Sequence, residues 1–204
     1  GGNKMFIKTT PEAAGVPSKA VKKFFEIYDA HGFSTHAILM ARGNKIIAEN
    51  EGAELELELS EGSYKLVAMS GYGDLELPET PTLQSSIGIP TSGILSEALQ
   101  IGRADLIVEK KDAKVEILME YQVVHVNLTL NDIPKDVTDV SVTFSTMYKE
   151  LSFDGNLSGD NTITLGLTKD ETSGENIWST SDVYIMPGKS TQLTLSIGMT
   201  NATT

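Results

Sequence analysis

The sequence contains no cysteine. Disulfides, thiolate nucleophiles and cysteine-ligated zinc are therefore excluded, and the fold has to be held by an apolar core. No apolar run approaches the roughly 18 residues that a membrane-spanning helix needs. Basic charge is scarce. The 204 residues carry 16 Lys and Arg against 28 Asp and Glu, a formal net of −12. Binding to a phosphate backbone depends on neutralising it with cations, and no basic stripe offsets the acid. Nucleic acid is not an expected partner, nor are anionic lipid headgroups.

Groups suited to acid–base or metal chemistry are few. The only histidines are His31, His36 and His125, and no pair has the i, i+4 spacing of a helical metal site. His31 falls at an expected helix end, where a cation favours the dipole. His36 opens a strand, and His125 lies on the face opposite Val124 and Val126. Ser-x-x-Lys, Gly-x-Ser-x-Gly and Lys-Thr-Gly are all missing. Thr146-Met147-Tyr148-Lys149 has the first of these spacings with Thr in place of Ser. It ends an alternating strand, so Lys149 reads as a solvated strand terminus. The chain begins Gly1-Gly2-Asn3 without an initiator Met, as expected of a trimmed chain from which any export signal would have been removed.

Two regimes are present. Residues 18–31 predict a helix: Ser18 as N-cap, Val21, Phe24, Phe25, Ile27 and Tyr28 at helical spacing, and Gly32 just past the end. Residues 36–49 predict a hairpin, with Gly43-Asn44 between apolar runs supplying the positive φ of a primed turn. From Ala53 the period becomes two. Ala53, Leu55, Leu57 and Leu59 alternate with Glu54, Glu56 and Glu58, giving a strand with one apolar and one acidic, solvated face. After the turn Ser60-Glu61-Gly62 comes the strand Tyr64–Met69. Residues 78–102 are irregular, interrupted by Pro81 and Pro90, with a short helix expected over Gly93–Leu99.

Further strands are expected at Leu106–Val108, Val115–Met119, Val123–Leu130, Val140–Phe144, Thr162–Leu167, Asp182–Ile185 and Thr191–Ile197. Short strands separated by Asp, Asn and Gly turns describe a β-sandwich with Greek-key links. One loop carries ligand-type spacing. Asp154, Asn156, Ser158 and Asp160 alternate around Gly155 and Gly159, as in the first half of a calcium loop. The twelfth position is Leu165 rather than Glu and the flanks are strands, so a plain connecting turn is the preferred reading and no metal is expected.

Two resemblances follow from particular residues. Thr10-Pro-Glu-Ala-Ala-Gly15, with Ala37-Ile-Leu-Met-Ala-Arg42-Gly-Asn-Lys-Ile-Ile-Ala-Glu49, resembles the start of serine β-lactamase-like hydrolases. None of that family's catalytic residues lies in the matching segment. From about residue 53 onward the chain resembles the fimbrillin-like anchor and tip subunits of bacterial pili. The likeness rests on Leu55-Glu-Leu-Glu-Leu-Ser-Glu-Gly-Ser-Tyr64-Lys-Leu-Val-Ala68, Val123-Val-His-Val-Asn-Leu-Thr-Leu-Asn-Asp-Ile-Pro134 and Val140-Ser-Val-Thr-Phe-Ser-Thr-Met-Tyr148. Leu151-Ser-Phe-Asp-Gly155, Tyr184-Ile-Met-Pro187 and Leu193-Thr-Leu-Ser-Ile197 continue it.

The second resemblance implies a mainly β fold of tandem transthyretin-like, Greek-key sandwiches, here with one N-terminal helix. It also implies export to the cell surface or outer membrane, no catalysis and no cofactor. The expected domains are residues 1–104 and 105–204. Expected partners are other fimbrial subunits, joined by strand addition at unpaired sheet edges, and surface glycans or proteins. The alternatives are a hydrolase or penicillin-recognising relative lacking its motifs, and a secreted carbohydrate-binding sandwich with Trp178 as a stacking platform. The residues expected to matter are core ones: Leu55, Leu57, Leu59, Tyr64, Val124, Val126, Leu128, Leu130, Leu193 and Leu195.

Overall fold

The computed structural model describes residues 3–11, 20–29, 37–51, 54–110, 113–190 and 194–202. These residues form antiparallel sheets and no helix. The first strands are β1 (Asn3–Pro11), β2 (Ala20–Asp29), β3 (Ala37–Arg42), β4 (Lys45–Glu51), β5 (Glu54–Ser60) and β6 (Gly62–Ser70). A short β7 (Ile94–Leu95) precedes β8 (Gln100–Val108) and β9 (Ala113–Tyr121). Then follow β10 (Val124–Val126), β11 (Thr129–Leu130), β12 (Val137–Met147), β13 (Glu150–Leu151) and β14 (Leu157–Ser158). The last are β15 (Asn161–Lys169), β16 (Trp178–Ser179), β17 (Val183–Ile185) and β18 (Thr194–Asn201).

The chain divides into two compact units, Gly1–Tyr72 with Leu77–Ser85 and Leu99–Tyr121, and Gly73–Glu76 with Ser86–Ala98 and Gln122–Thr204. The boundary expected between residues 104 and 105 falls inside β8, which belongs wholly to the first unit. Burial explains the shift. Alternating Leu106 and Val108 join the same apolar cluster as β6, so β8 cannot be divided without opening that core.

The first unit is an eight-stranded sheet in the order β4-β3-β6-β8-β9-β1-β2-β5. β8 and β9 pair only at Gln100↔Tyr121 and Ile101↔Glu120, and there the sheet folds over into two four-stranded layers. Ile38, Met40, Tyr64, Leu66, Ala68, Leu106 and Val108 from one layer meet Leu59, Ile117 and Met119 from the other. Gly102 stands near the fold because a Cβ there would lie 2.4 Å from Ile117 Cγ2 and 2.5 Å from the Leu118 carbonyl oxygen. The expected hairpin is present as β3 and β4, paired from Ala37↔Glu51 to Arg42↔Lys45, with Gly43 at a φ of 61°. Arg42 ties this hairpin down: its Nη1 donates to Ser60 Oγ at 2.5 Å and its guanidinium lies 5.6 Å from the Tyr64 ring centroid.

Two expected helices are corrected. Within residues 18–31, Ala20–Asp29 is the strand β2, paired with β1 from Met5↔Asp29 to Pro11↔Lys23 and with β5 from Ala20↔Ser60 to Glu26↔Glu54. The rest of that stretch, like His31 and His36, lies outside the described residues. The segment is rich in β-branched and aromatic residues, and a neighbour on each side satisfies its backbone, so tertiary pairing overrides the helical spacing. Within Gly93–Leu99, Ile94 and Leu95 pair with Ile185 and Tyr184 of β17, and Gly93 has a φ of 70°, which a right-handed helix does not use.

The second unit holds a five-stranded sheet, β11-β16-β15-β12-β18, a three-stranded sheet, β10-β17-β7, and the small hairpin β13-β14. Val140, Val142 and Phe144 of β12 are buried with Ile163, Leu165 and Leu167 of β15, Trp178, Leu95, Phe153 and Ile185. Gly93 allows the β7 segment to approach β15, since a Cβ there would lie 2.7 Å from Ile163 Cδ1.

Candidate functional site

The last described strand, β18, spans Thr194–Asn201 at an edge of its sheet. Thr194-Leu-Ser-Ile-Gly-Met-Thr-Asn201 holds no charged residue and no proline, in a protein with 22% charged residues. It alternates Leu195, Ile197 and Met199 with Ser196, Gly198 and Thr200. β18 pairs antiparallel with β12 from Val137↔Asn201 to Ser145↔Thr194 and forms the edge of its sheet. Residues directly opposite in such a pair share a face.

The register sets Leu195 opposite Phe144, Ile197 opposite Val142 and Met199 opposite Val140. The β12 members of these pairs are 3%, 0% and 2% exposed, and their β18 partners are 42%, 46% and 50% exposed. One apolar row thus runs from the sealed core onto an open surface. Among the described residues, nothing covers the β18 end of it. The three-stranded sheet is two strands narrower than the five-stranded one, about 10 Å at ordinary strand spacing.

An edge of this kind offers two things to another chain: a row of unpaired backbone donors and acceptors, and an apolar face in continuity with the core. Protective devices at edges are charges, prolines and bulges. β18 carries neither charge nor proline. The edges of the first unit, β4 and β5, differ. β4 begins at Lys45, which bridges to Thr82 of the neighbouring segment, and β5 has Glu54, Glu56 and Glu58 in its sequence. Beside β4 runs a groove of about 630 Å³ lined by Asn44–Ile47, Glu49 and Glu79–Thr82.

The residues singled out from the sequence fall in several places. Leu59, Tyr64 and Val126 are buried, Leu128 and Leu130 are half-buried, and the side chains of Leu55 and Leu57, with all of Leu193, lie outside the described residues. Val124 and Leu195 are exposed, against expectation. Each stands on an edge strand, where alternation fixes the face but not what covers it. Trp178 is 7% exposed, so it is a packed residue of β16 and not a sugar platform. His125 is exposed and its Nε2 lies 3.1 Å from Asp182 Oδ1, which also accepts from Asn127 Nδ2 at 2.8 Å.

The four loop residues with calcium-type spacing are held by protein groups. Asp154 accepts from the Ser152 hydroxyl, Asp160 accepts from Lys189 Nζ at 2.5 Å, and the Ser158 carbonyl accepts from the Lys149 amide. Asn156 donates its amide to Ser152 Oγ at 3.1 Å. The hydrogen bond from Lys189 to Asp160 raises the Lys189 pKa above its ordinary 10.5. Among the described residues no three His, Asp or Glu side chains gather as a metal site. Lys149 is exposed at the start of the hairpin and Met147 beside it is buried. Met199 lies past the expected end of the last strand at Ile197, and its signal in the sequence is the continued alternation Leu195, Ile197, Met199.

The described residues thus form a sandwich of antiparallel sheets in which one edge strand, β18, is uncharged and exposed. The chain belongs to the family of fimbrillin-A associated anchor proteins Mfa1 and Mfa2, which it matches over residues 27–204. It is also similar in fold to a crystal structure described as a "putative adhesin from Bacteroides ovatus". The TM-score is 0.56 at 15% identity, over 85% of this chain and 67% of that one. No curated protein matches the chain. The family match takes in residues 27–49, so the β3–β4 hairpin is part of this family's domain. Its likeness to a hydrolase head reflects an apolar–turn–apolar pattern that many sheets share.

Proposed function

We propose that the protein is a non-catalytic structural or adhesive subunit of a bacterial surface fimbria, exported to the cell surface, and joined to a neighbouring subunit by strand addition at β18. The observation that carries this reading is the apolar row shared by β12 and β18, sealed on one strand and open on the next. Family membership supports the fimbrial setting. Strand addition satisfies the open backbone edge and covers Leu195, Ile197 and Met199 in one step, which an interaction through surface loops would not do.

The test is site-specific crosslinking in fimbriated cells. A photoreactive residue at position 197 is expected to give a covalent adduct with another fimbrial subunit. The same residue at position 107, an exposed apolar site on β8 of the first unit, is expected to give none. Equal adducts from both positions, or none from position 197, would refute the proposal.

A further inference from the structure

The β18 edge is complementary to itself, and we infer that, resting on the reading above, it pairs with the β18 of a second copy about a two-fold axis. The chain carries a net charge of −12, so two copies repel each other over most approaches. Thr194–Asn201 is eight exposed residues without a charge. It is a neutral patch through which two acidic copies can meet.

The pattern also selects a register. In an antiparallel pair of identical strands, centring Ile197 on its own copy places Leu195 opposite the second copy's Met199. All six apolar side chains then lie on one face, continuous with Val140, Val142 and Phe144 of each copy. A slip by one residue would set Leu and Ile opposite Ser and Gly and put the rows on opposite faces. The polar row Ser196, Gly198 and Thr200 carries only small side chains, so nothing bulky obstructs the other face.

Such an interface is isologous: each copy uses the same edge, so pairing consumes both and association stops at two. A single strand pair is small beside the roughly 1,200–2,000 Å² of stable interfaces, so the dimer is expected to be reversible and concentration-dependent.

Sedimentation equilibrium of the whole chain from about 5 to about 500 µM brackets an interface of this class. The weight-average mass is expected to rise from that of the monomer towards twice that value, with no larger species. Ile197→Lys is expected to move the transition at least tenfold higher in concentration, and Ile107→Lys to leave it in place. Because Ile197 is half exposed, the variant keeps its fold, which an unchanged far-UV spectrum and thermal midpoint verify. Ser196→Lys, on the opposite face, serves as a second edge variant should Ile197→Lys misfold, and is expected to weaken association too. A monomer throughout would overturn the two-fold pairing, as would association beyond two or association indifferent to both edge variants. An adduct at position 197 with a different fimbrial subunit, beside a chain that stays monomeric in sedimentation, would sink the two-fold pairing alone and leave the fimbrial reading in place.

Discussion

Among single residues, the turn Asp170-Glu171-Thr172 gives a clean electrostatic test. The Thr172 hydroxyl donates to Asp170 Oδ1 at 2.7 Å and the Thr172 amide at 2.9 Å, and these bonds hold the Asp170 carboxyl below its ordinary 3.8. A depressed acid stabilises the fold above its unfolded pKa, and that stabilisation is lost as pH falls through the folded value. An NMR titration should show Asp170 ionising below 3.8. Thr172→Val should move its midpoint upward; an unmoved midpoint would remove the hydroxyl as the cause. Gly102 offers a steric counterpart. With Ile117 and the Leu118 carbonyl in the way, Gly102→Ala is expected to cost about 1–3 kcal/mol by overpacking, read as a lower denaturant midpoint with an unchanged slope.

At the level of strands, β12 and β18 separate the two roles that one alternating pattern can play. Phe144 and Leu195 are opposite each other and share a face, but only Phe144 is buried. Phe144→Ala should cost about 3–5 kcal/mol, whereas Leu195→Ala should stay within about 1 kcal/mol, as at surface positions. Equal losses would mean that β18 is roofed in the isolated protein. The same pair shows how far the sequence could be read. Period two placed most strands of the second unit to within a few residues, and the turn residues Gly43-Asn44 placed the β3–β4 hairpin. What the pattern could not show was which apolar rows find a cover. Leu195 and Val124 alternate as properly as Val142 does, and their exposure comes from lying on edge strands, a property of topology. β2 failed for a related reason. Val21, Phe24, Phe25 and Tyr28 suit a helix and a strand alike until β1 and β5 are seen to flank them.

At the scale of the molecule, a chain of net charge −12 presents along β18 eight exposed residues without a charge. The net charge opposes unspecific aggregation, and the neutral β18 edge offers a route of approach that adds no like charge of its own. It also predicts a salt response. Raising ionic strength screens the repulsion between acidic copies but leaves an uncharged strand interface intact, so association through β18 should strengthen modestly with salt. Weakening with salt would point to ion pairs as the contact. The most direct measurement is hydrogen exchange of the β18 amides in the isolated protein and in assembled fimbriae. Fast exchange at the unpaired amides among residues 194–201 when isolated, and strong protection of the same amides once assembled, is the predicted result. Amides that are equally slow in both states, or equally fast, would contradict an edge that is open alone and closed by a neighbour's strand.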